Sequence, residues 1–110
     1  MKTVTEARQG DVYVQAFAAL PDGCTLIERD KGGVVLAYGE VTGHAHQFRE
    51  DHVKMFSAND NSGRRFLVIE GKQATLFHEE HDPITFAPGI YEVWQQREWT
   101  DDNEPRTVAD

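Results

Sequence analysis

Two short segments hold four of the five histidines in this chain. The first segment, GHAHQFRE, carries His44 and His46, with Glu50 four positions further on. In an extended strand, side chains two residues apart project from one face, so both imidazoles and the carboxylate would lie together. Nitrogen and oxygen donors of this kind suit a divalent transition metal such as zinc, iron, manganese or nickel. The spacing therefore predicts a metal site whose ligands include His44, His46 and Glu50.

The second segment, HEEHDP, begins at His78 and places His81 three positions later. This spacing differs from the HExxH zinc motif, in which the two histidines lie four apart on a helix. The proline that follows and the β-rich run before it favour a loop at the mouth of a β fold, where functional residues concentrate. We predict that His78 and His81 contribute to the same metal site. Glu79 and Glu80, which lie between them, are the predicted catalytic proton carriers.

These patterns favour a divalent-metal-binding protein that acts as a metal-dependent hydrolase or binds a small molecule. One alternative is a non-enzymatic interaction module, in which the histidines form a protein interface or a pH-sensitive loop. A second alternative is metal-free acid–base chemistry by paired histidines on a nucleotide phosphodiester. Histidine pairs on exposed strands also occur without an ion, so all three hypotheses stay open at this point.

Composition and charge narrow the classes of partner. The net charge of −8 comes from 19 acidic and 11 basic residues, and it repels phosphate backbones. Nucleic acid is therefore not an expected partner. No stretch approaches the ~20 apolar residues of a membrane-spanning helix, and the first residues lack the apolar centre of a secretory signal. The single cysteine, Cys24, allows no internal disulfide and favours a reducing compartment, so we predict a cytoplasmic protein.

Strand signals dominate the rest of the chain. Short β-branched and aromatic runs alternate with glycine, proline and aspartate turns. The predicted strands lie within residues 11–17, 32–41, 53–58, 64–80 and 83–99. Within the fourth range, Glu70–Gly71–Lys72 predicts a hairpin turn between two strands. Helical signals are limited to one turn within residues 3–10 and a weak tendency within 15–23.

The predicted fold is all-β: one small barrel or sandwich, cupin-like or SH3-like, that spans residues 1–110. A polar tail from about residue 100 is predicted to be partly disordered or to lie on the surface. The last run, which ends in WQQREW, is predicted to be an edge strand blunted by charge, and left unpaired it would allow a homodimer. The predicted core contains Val12, Val14, Val35, Leu36, Phe66, Val68, Ile69, Leu76, Ile84, Phe86, Tyr91 and Val93.

Two resemblances add to these predictions. HAHQFRE resembles the first cupin motif, in which HxH is followed by a glutamate, and FAPGIY resembles the second. This resemblance implies a β-barrel that holds a divalent metal through His44, His46 and Glu50, although Glu92 stands where the second motif has a histidine. Nearly the whole chain resembles a family of small uncharacterised bacterial and phage proteins, through RQGDV, VVLAYGEVTGHAH, HEEHDPI, PGIYEVWQQREW and RTVAD. The second resemblance implies one coherent domain and carries no assigned activity.

Overall fold

The computed structural model describes residues 2–39 and 43–95, and the backbone alone of residues 97–99 and 105–107. Within these ranges the chain forms twelve strands and no helix, which confirms the all-β prediction. The strands are β1 Glu6–Gln9, β2 Val12–Ala16, β3 Thr25–Ile27, β4 Val34–Tyr38, β5 Ala45–Phe48, β6 Val53–Ser57, β7 Arg65–Ile69, β8 Ala74–Phe77, β9 Ile84–Phe86, β10 Gly89–Gln95, β11 Arg97–Trp99 and β12 Pro105–Thr107.

Ten of the strands form two antiparallel sheets. The larger sheet has the order β1-β2-β10-β7-β6-β3, and the smaller has the order β4-β5-β8-β9. Strands β11 and β12 pair separately with each other. Residues from both sheets share one apolar core, so the sheets pack face to face. Of the two predicted architectures the described residues form the sandwich, because the sheets do not close into a barrel. The same residues include no helix long and apolar enough to cross a membrane.

The core follows the two-residue period of the strands, and this period corrects three predicted core positions. Val34 and Leu36 are buried in β4, whereas Val35 between them is only half-buried and faces outward. In β7, Leu67 is buried while Val68 is half-buried. Ile84 packs against the core from its rim. The other nine predicted positions are buried: Val12, Val14, Leu36, Phe66, Ile69, Leu76, Phe86, Tyr91 and Val93.

Three predictions of local structure are wrong. The segment around Glu70–Gly71–Lys72 is not a hairpin turn, because it carries the chain from β7 in the larger sheet to β8 in the smaller one. The predicted N-terminal helical turn is strand β1, which pairs with β2 along its whole length. Strand β10 is not an edge strand, since β2 and β7 flank it from Tyr91 to Val93, and its last residues Trp94 and Gln95 pair with β2. The predicted tail lies mostly outside the described residues, apart from the backbone of β12.

Three connections meet at one end of the sandwich and position the site. They are the tight β1–β2 turn, the segment that leads into β5, and the loop between β8 and β9. In the smaller sheet, β5 and β8 pair in the register Gln47↔Phe77 and Phe48↔Leu76. One step further along this register, His46 faces His78. The pairing of two strands thus brings together two histidine segments that are more than thirty residues apart in sequence.

Candidate functional site

Four imidazole rings gather at this end of the sandwich. His46 and His78 stack with their ring centroids 4.2 Å apart, and His81 lies 4.8 Å from His78 and 5.7 Å from His46. His44 meets His78 edge to face at 5.9 Å. His46 and His78 are 2% and 5% exposed, whereas His44 and His81 are partly exposed. A ligand can therefore reach the cluster through His44 and His81.

A glycine allows the rings to approach the β4–β5 connection. The Gly39 amide donates to the His44 carbonyl at 2.9 Å, which holds the two ends of this connection together. A Cβ atom at position 39 would lie 3.1 Å from the His44 Cβ and 3.3 Å from the His78 Nε2. Both distances are shorter than ordinary van der Waals contact, so only glycine leaves these two side chains where they are.

Replacement of Gly39 by alanine is expected to displace both imidazoles by a few tenths of an ångström and to disturb the cluster more than the fold. The neighbours are side-chain atoms at the edge of the domain, so we expect a loss of stability of about 1 kcal/mol. The imidazole ¹Hε1 resonances of His44 and His78 in NMR spectra report the displacement. His52, which binds the Gln73 carbonyl away from the cluster, is the internal reference. Unchanged spectra for all histidines would contradict the described packing.

His46 is held by a buried amide. The Gln9 side chain donates its Nε2 to the carbonyls of Leu76 and Asp82 at 3.2 and 2.9 Å. Because both partners are acceptors, the amide oxygen must face His46, whose Nδ1 lies 2.9 Å away. Nδ1 of His46 therefore carries a proton, and Nε2 lies 3.6 Å from the buried Asp11 carboxylate. An N–H bonded to a carbonyl oxygen on one side of the ring is the arrangement that orients metal-binding histidines.

His78 has the opposite arrangement. The Glu80 backbone N–H donates to Nδ1 of His78 at 3.0 Å, which requires a lone pair on that nitrogen. The proton of the neutral ring is therefore on Nε2. Glu80 and His78 both belong to the HEEHDP segment. The turn after β8 therefore determines which ring nitrogen of His78 carries the proton.

The Glu79 side chain contacts the start of β5. Its Oε1 accepts the Ala45 N–H at 3.0 Å, and this hydrogen bond lowers the pKa of the Glu79 carboxyl below its ordinary value. The carboxylate is exposed and remains charged at neutral pH. Glu80 is also exposed, and its Oε2 lies 3.7 Å from Nδ1 of His44. Both glutamates thus lie next to imidazoles of the histidine cluster, as expected from the sequence.

Three side chains bring potential metal-ligand atoms closest together within the described residues. One ring nitrogen each from His44 and His78 and one oxygen from Glu79 all lie within 4.8 Å of one another. In addition, Nδ1 of His44 is buried and has no hydrogen-bond partner among the described residues. His46 and His81 stack next to this group, with His46 directed towards Gln9 and Asp11.

Glu50, predicted as a third ligand beside the two histidines, lies elsewhere. Its Oε2 accepts the Thr75 N–H at 2.8 Å near the start of β8, while His78 follows the end of the same strand. Three residues of strand separate the two positions by roughly 10 Å. The shared face of the HAHQFRE segment is occupied instead by Phe48, which is fully buried in the core. The structure therefore does not bring the cupin-type set of two histidines and Glu50 together.

Sequence reasoning missed two buried polar residues of this end. Gln9 and Asp11 flank Gly10 in the β1–β2 turn, and Gln95 donates to the second Asp11 oxygen at 3.0 Å. The only signal for them was the RQGDV segment, which contributed to the family resemblance without a role. Their partners are 35 or more residues away in sequence, so local spacing contained no information about them.

The fold and the site together define a small two-sheet β domain with a partly buried histidine cluster at one end. The chain belongs to the family described as Domain of unknown function (DUF8820), whose family model matches residues 8–96. This match confirms the resemblance to a family of small uncharacterised proteins, and its range includes all four clustered histidines. No curated protein and no solved structure matches the chain.

Proposed function

We propose that this protein binds one divalent transition metal ion through His44, His78 and Glu79. The observation that supports the proposal is the spread of their potential ligand atoms, which lie within 4.8 Å of one another. Two imidazoles and one carboxylate form a donor set that suits zinc, iron, manganese or nickel and leaves a coordination position open. Zinc is the first ion to test.

Two further features fit an ion at this position. Tetrahedral bonds of 2.0–2.1 Å place two ligand atoms of one ion about 3.3–3.4 Å apart, so the three side chains need to close by up to about 1.4 Å. Exposed Glu79 and half-buried His44 have room for this movement. The lowered pKa of Glu79 keeps its carboxylate ionised, and the buried Nδ1 of His44 has no hydrogen bond that would be lost.

Metal binding by His78 requires one hydrogen bond to break. If Nε2 binds the ion, its proton must move to Nδ1, where it would face the Glu80 N–H. If Nδ1 binds the ion, the same N–H is displaced directly. Either way the Glu80 amide loses its partner in the zinc-bound protein.

We therefore expect the Glu80 amide to be a direct reporter of metal binding. Addition of zinc to untagged protein should shift its ¹H–¹⁵N resonance and speed its hydrogen exchange by about tenfold, which corresponds to the loss of roughly one hydrogen bond. The Glu70 amide, which donates to the His52 carbonyl at 3.1 Å away from the cluster, is the control and should not change. Zinc binding that leaves the Glu80 amide unchanged would exclude His78 as a ligand.

A bound ion at this position would supply Lewis-acid chemistry to a carbonyl or phosphoryl oxygen. Glu80 is the residue we assign as proton carrier, because its carboxylate is exposed and lies 3.7 Å from the His44 ring. Hydrolysis of a small substrate is the reaction class that such an arrangement favours. The lone cysteine favours a reducing compartment, so the cytoplasm is the proposed location.

Metal-free acid–base chemistry is the weaker alternative. It would have to use the partly exposed His44 and His81, because the stacked pair His46 and His78 is almost fully buried. An interaction module remains the second candidate, since exposed Glu79 and Glu80 border the cluster and would be available to a partner. In that case alanine at both His44 and His46 would weaken a partner protein's binding and leave metal content unchanged.

A further inference from the structure

A groove of about 470 Å³ runs along the outer face of the smaller sheet and reaches His44. Val35 and Gln47 are paired across β4 and β5 and form its floor, on the side of the sheet that faces away from the core. The volume lies within the range of small-molecule sites, which is roughly 300–1,000 Å³. The register of the two strands places His44 and Tyr38 at one end of the groove and Arg49 at the other.

The far end of the groove is basic in an otherwise acidic protein. Arg49 lies with its guanidinium carbon 4.5 Å from the centre of the Phe77 ring, a cation–π contact that positions its charge at this end of the groove. Lys31 lines the groove from the turn that precedes β4. Among the described residues neither cation has a carboxylate within ion-pair distance, although the net charge is −8. Two uncompensated cations in a concave surface favour an anionic ligand.

The turn that carries Lys31 is rigid. Arg29 donates to the carbonyls of Gly32, Arg49 and Glu50 at 2.8–3.2 Å and to the Val53 carbonyl at 2.9 Å. These bonds tie the turn before β4 to the chain that follows β5. The backbone positions that carry the two cations are therefore tied to each other before any ligand arrives, which reduces the entropic cost of binding.

The near end of the groove presents a flat aromatic ring. Tyr38 is 65% exposed, and its hydroxyl is hydrogen-bonded to Asp30, which also lines the groove. A large aromatic side chain that is held in place and left open to solvent is a surface on which a planar group stacks. Among the described residues Asp30 is the one acidic residue of the lining, and its carboxylate is engaged by this hydroxyl.

We propose that the groove binds an anionic small molecule that carries a flat ring, with the anionic group on Arg49 and Lys31 and the ring against Tyr38. In this position the ring lies next to His44, at the entrance to the histidine cluster. The binding itself stands without a metal ion; only the orientation towards His44 relates it to the proposed function.

The test uses metal-free protein and two probes, AMP and benzoate. Each has an anionic group and a flat ring: AMP carries a phosphate joined to its ring through a ribose, and benzoate carries a carboxylate directly on its ring. We expect at least one probe to bind, and its affinity to fall about tenfold in R49Q and in Y38A, which corresponds to one lost contact in each. K54Q, which removes an exposed lysine paired with Glu70, is the matched control and should leave the affinity unchanged. Failure of both probes to bind, or an affinity that R49Q does not reduce, would overturn the inference. Zinc content, measured separately, reports on the proposed function alone.

Discussion

His44→Ala protein is expected to bind zinc at least about 100-fold more weakly than the unaltered protein, because removal of even an outer partner of a metal ligand costs 10–100-fold. His44 is half-buried at the rim of the cluster, and its Nδ1 makes no hydrogen bond with the described residues. The substitution should therefore change the free energy of unfolding of the metal-free protein by less than about 1 kcal/mol. Isothermal titration calorimetry and chemical denaturation measure the two quantities.

The matched control is His52→Ala. His52 is the fifth histidine and lies outside the cluster, and its ring bonds to the Gln73 carbonyl. Its loss should leave zinc affinity unchanged. Equal affinities of His44→Ala and unaltered protein would remove His44 from the site, and equal losses in both variants would indicate that zinc binds to surface histidines without selection.

Gln9→Met is expected to destabilise the fold more than any other change of a single polar side chain at this end of the sandwich. Methionine is similar in volume, but it leaves the carbonyls of Leu76 and Asp82 and the Nδ1–H of His46 without their partner. Each such buried group costs about 1–3 kcal/mol, and water at the rim can satisfy some of them, so we expect a loss of about 2–4 kcal/mol. Thermal unfolding of the metal-free protein measures the loss, with an expected fall in Tm of roughly 10–25 °C.

Gln73→Met is the control for this substitution, because Gln73 is exposed and its side chain makes no hydrogen bond within the described part of the chain. A second control is Gln9→Glu, which keeps an acceptor for His46 but loses both donations to carbonyls. It should destabilise nearly as much as Gln9→Met. If Gln9→Met and Gln73→Met unfold at the same temperature, the buried amide does not hold β1, β8 and the histidine cluster together.

Local sequence patterns predicted much of the fold correctly, and the predictions that failed share one physical cause. β-Branched runs and turn residues located the strands from β2 to β10 apart from the short β3 and β5, since the side-chain period of a strand is visible in sequence. The turn at Glu70–Gly71–Lys72 was misread because a tight glycine turn looks the same whether the next strand pairs with the last one or crosses to another sheet. Pairing is decided by non-local burial, which local spacing does not contain.

The site shows the same difference between local features, which the sequence predicted, and non-local contacts, which it did not. The proximity of His44 to His46 and of His78 to His81 is local, and the shared loop-end position of the two segments suggested that they meet. Glu50 was assigned from alternation and from the cupin resemblance, yet it lies beyond the end of β5, where its carboxylate accepts the Thr75 N–H. Gln9 and Asp11 could not be found, because their role depends on a contact between two different sheets.

Metal content of protein purified without a histidine tag, combined with X-ray absorption at the edge of the bound metal, tests the central claim most directly. We predict about one equivalent of a divalent ion per chain, with nitrogen and oxygen neighbours at about 2.0–2.1 Å and the scattering pattern of imidazole. His44→Ala should lose this ion, and His52→Ala should keep it. Less than about a tenth of an equivalent, together with no rise in Tm on addition of zinc, manganese or nickel, would contradict the account.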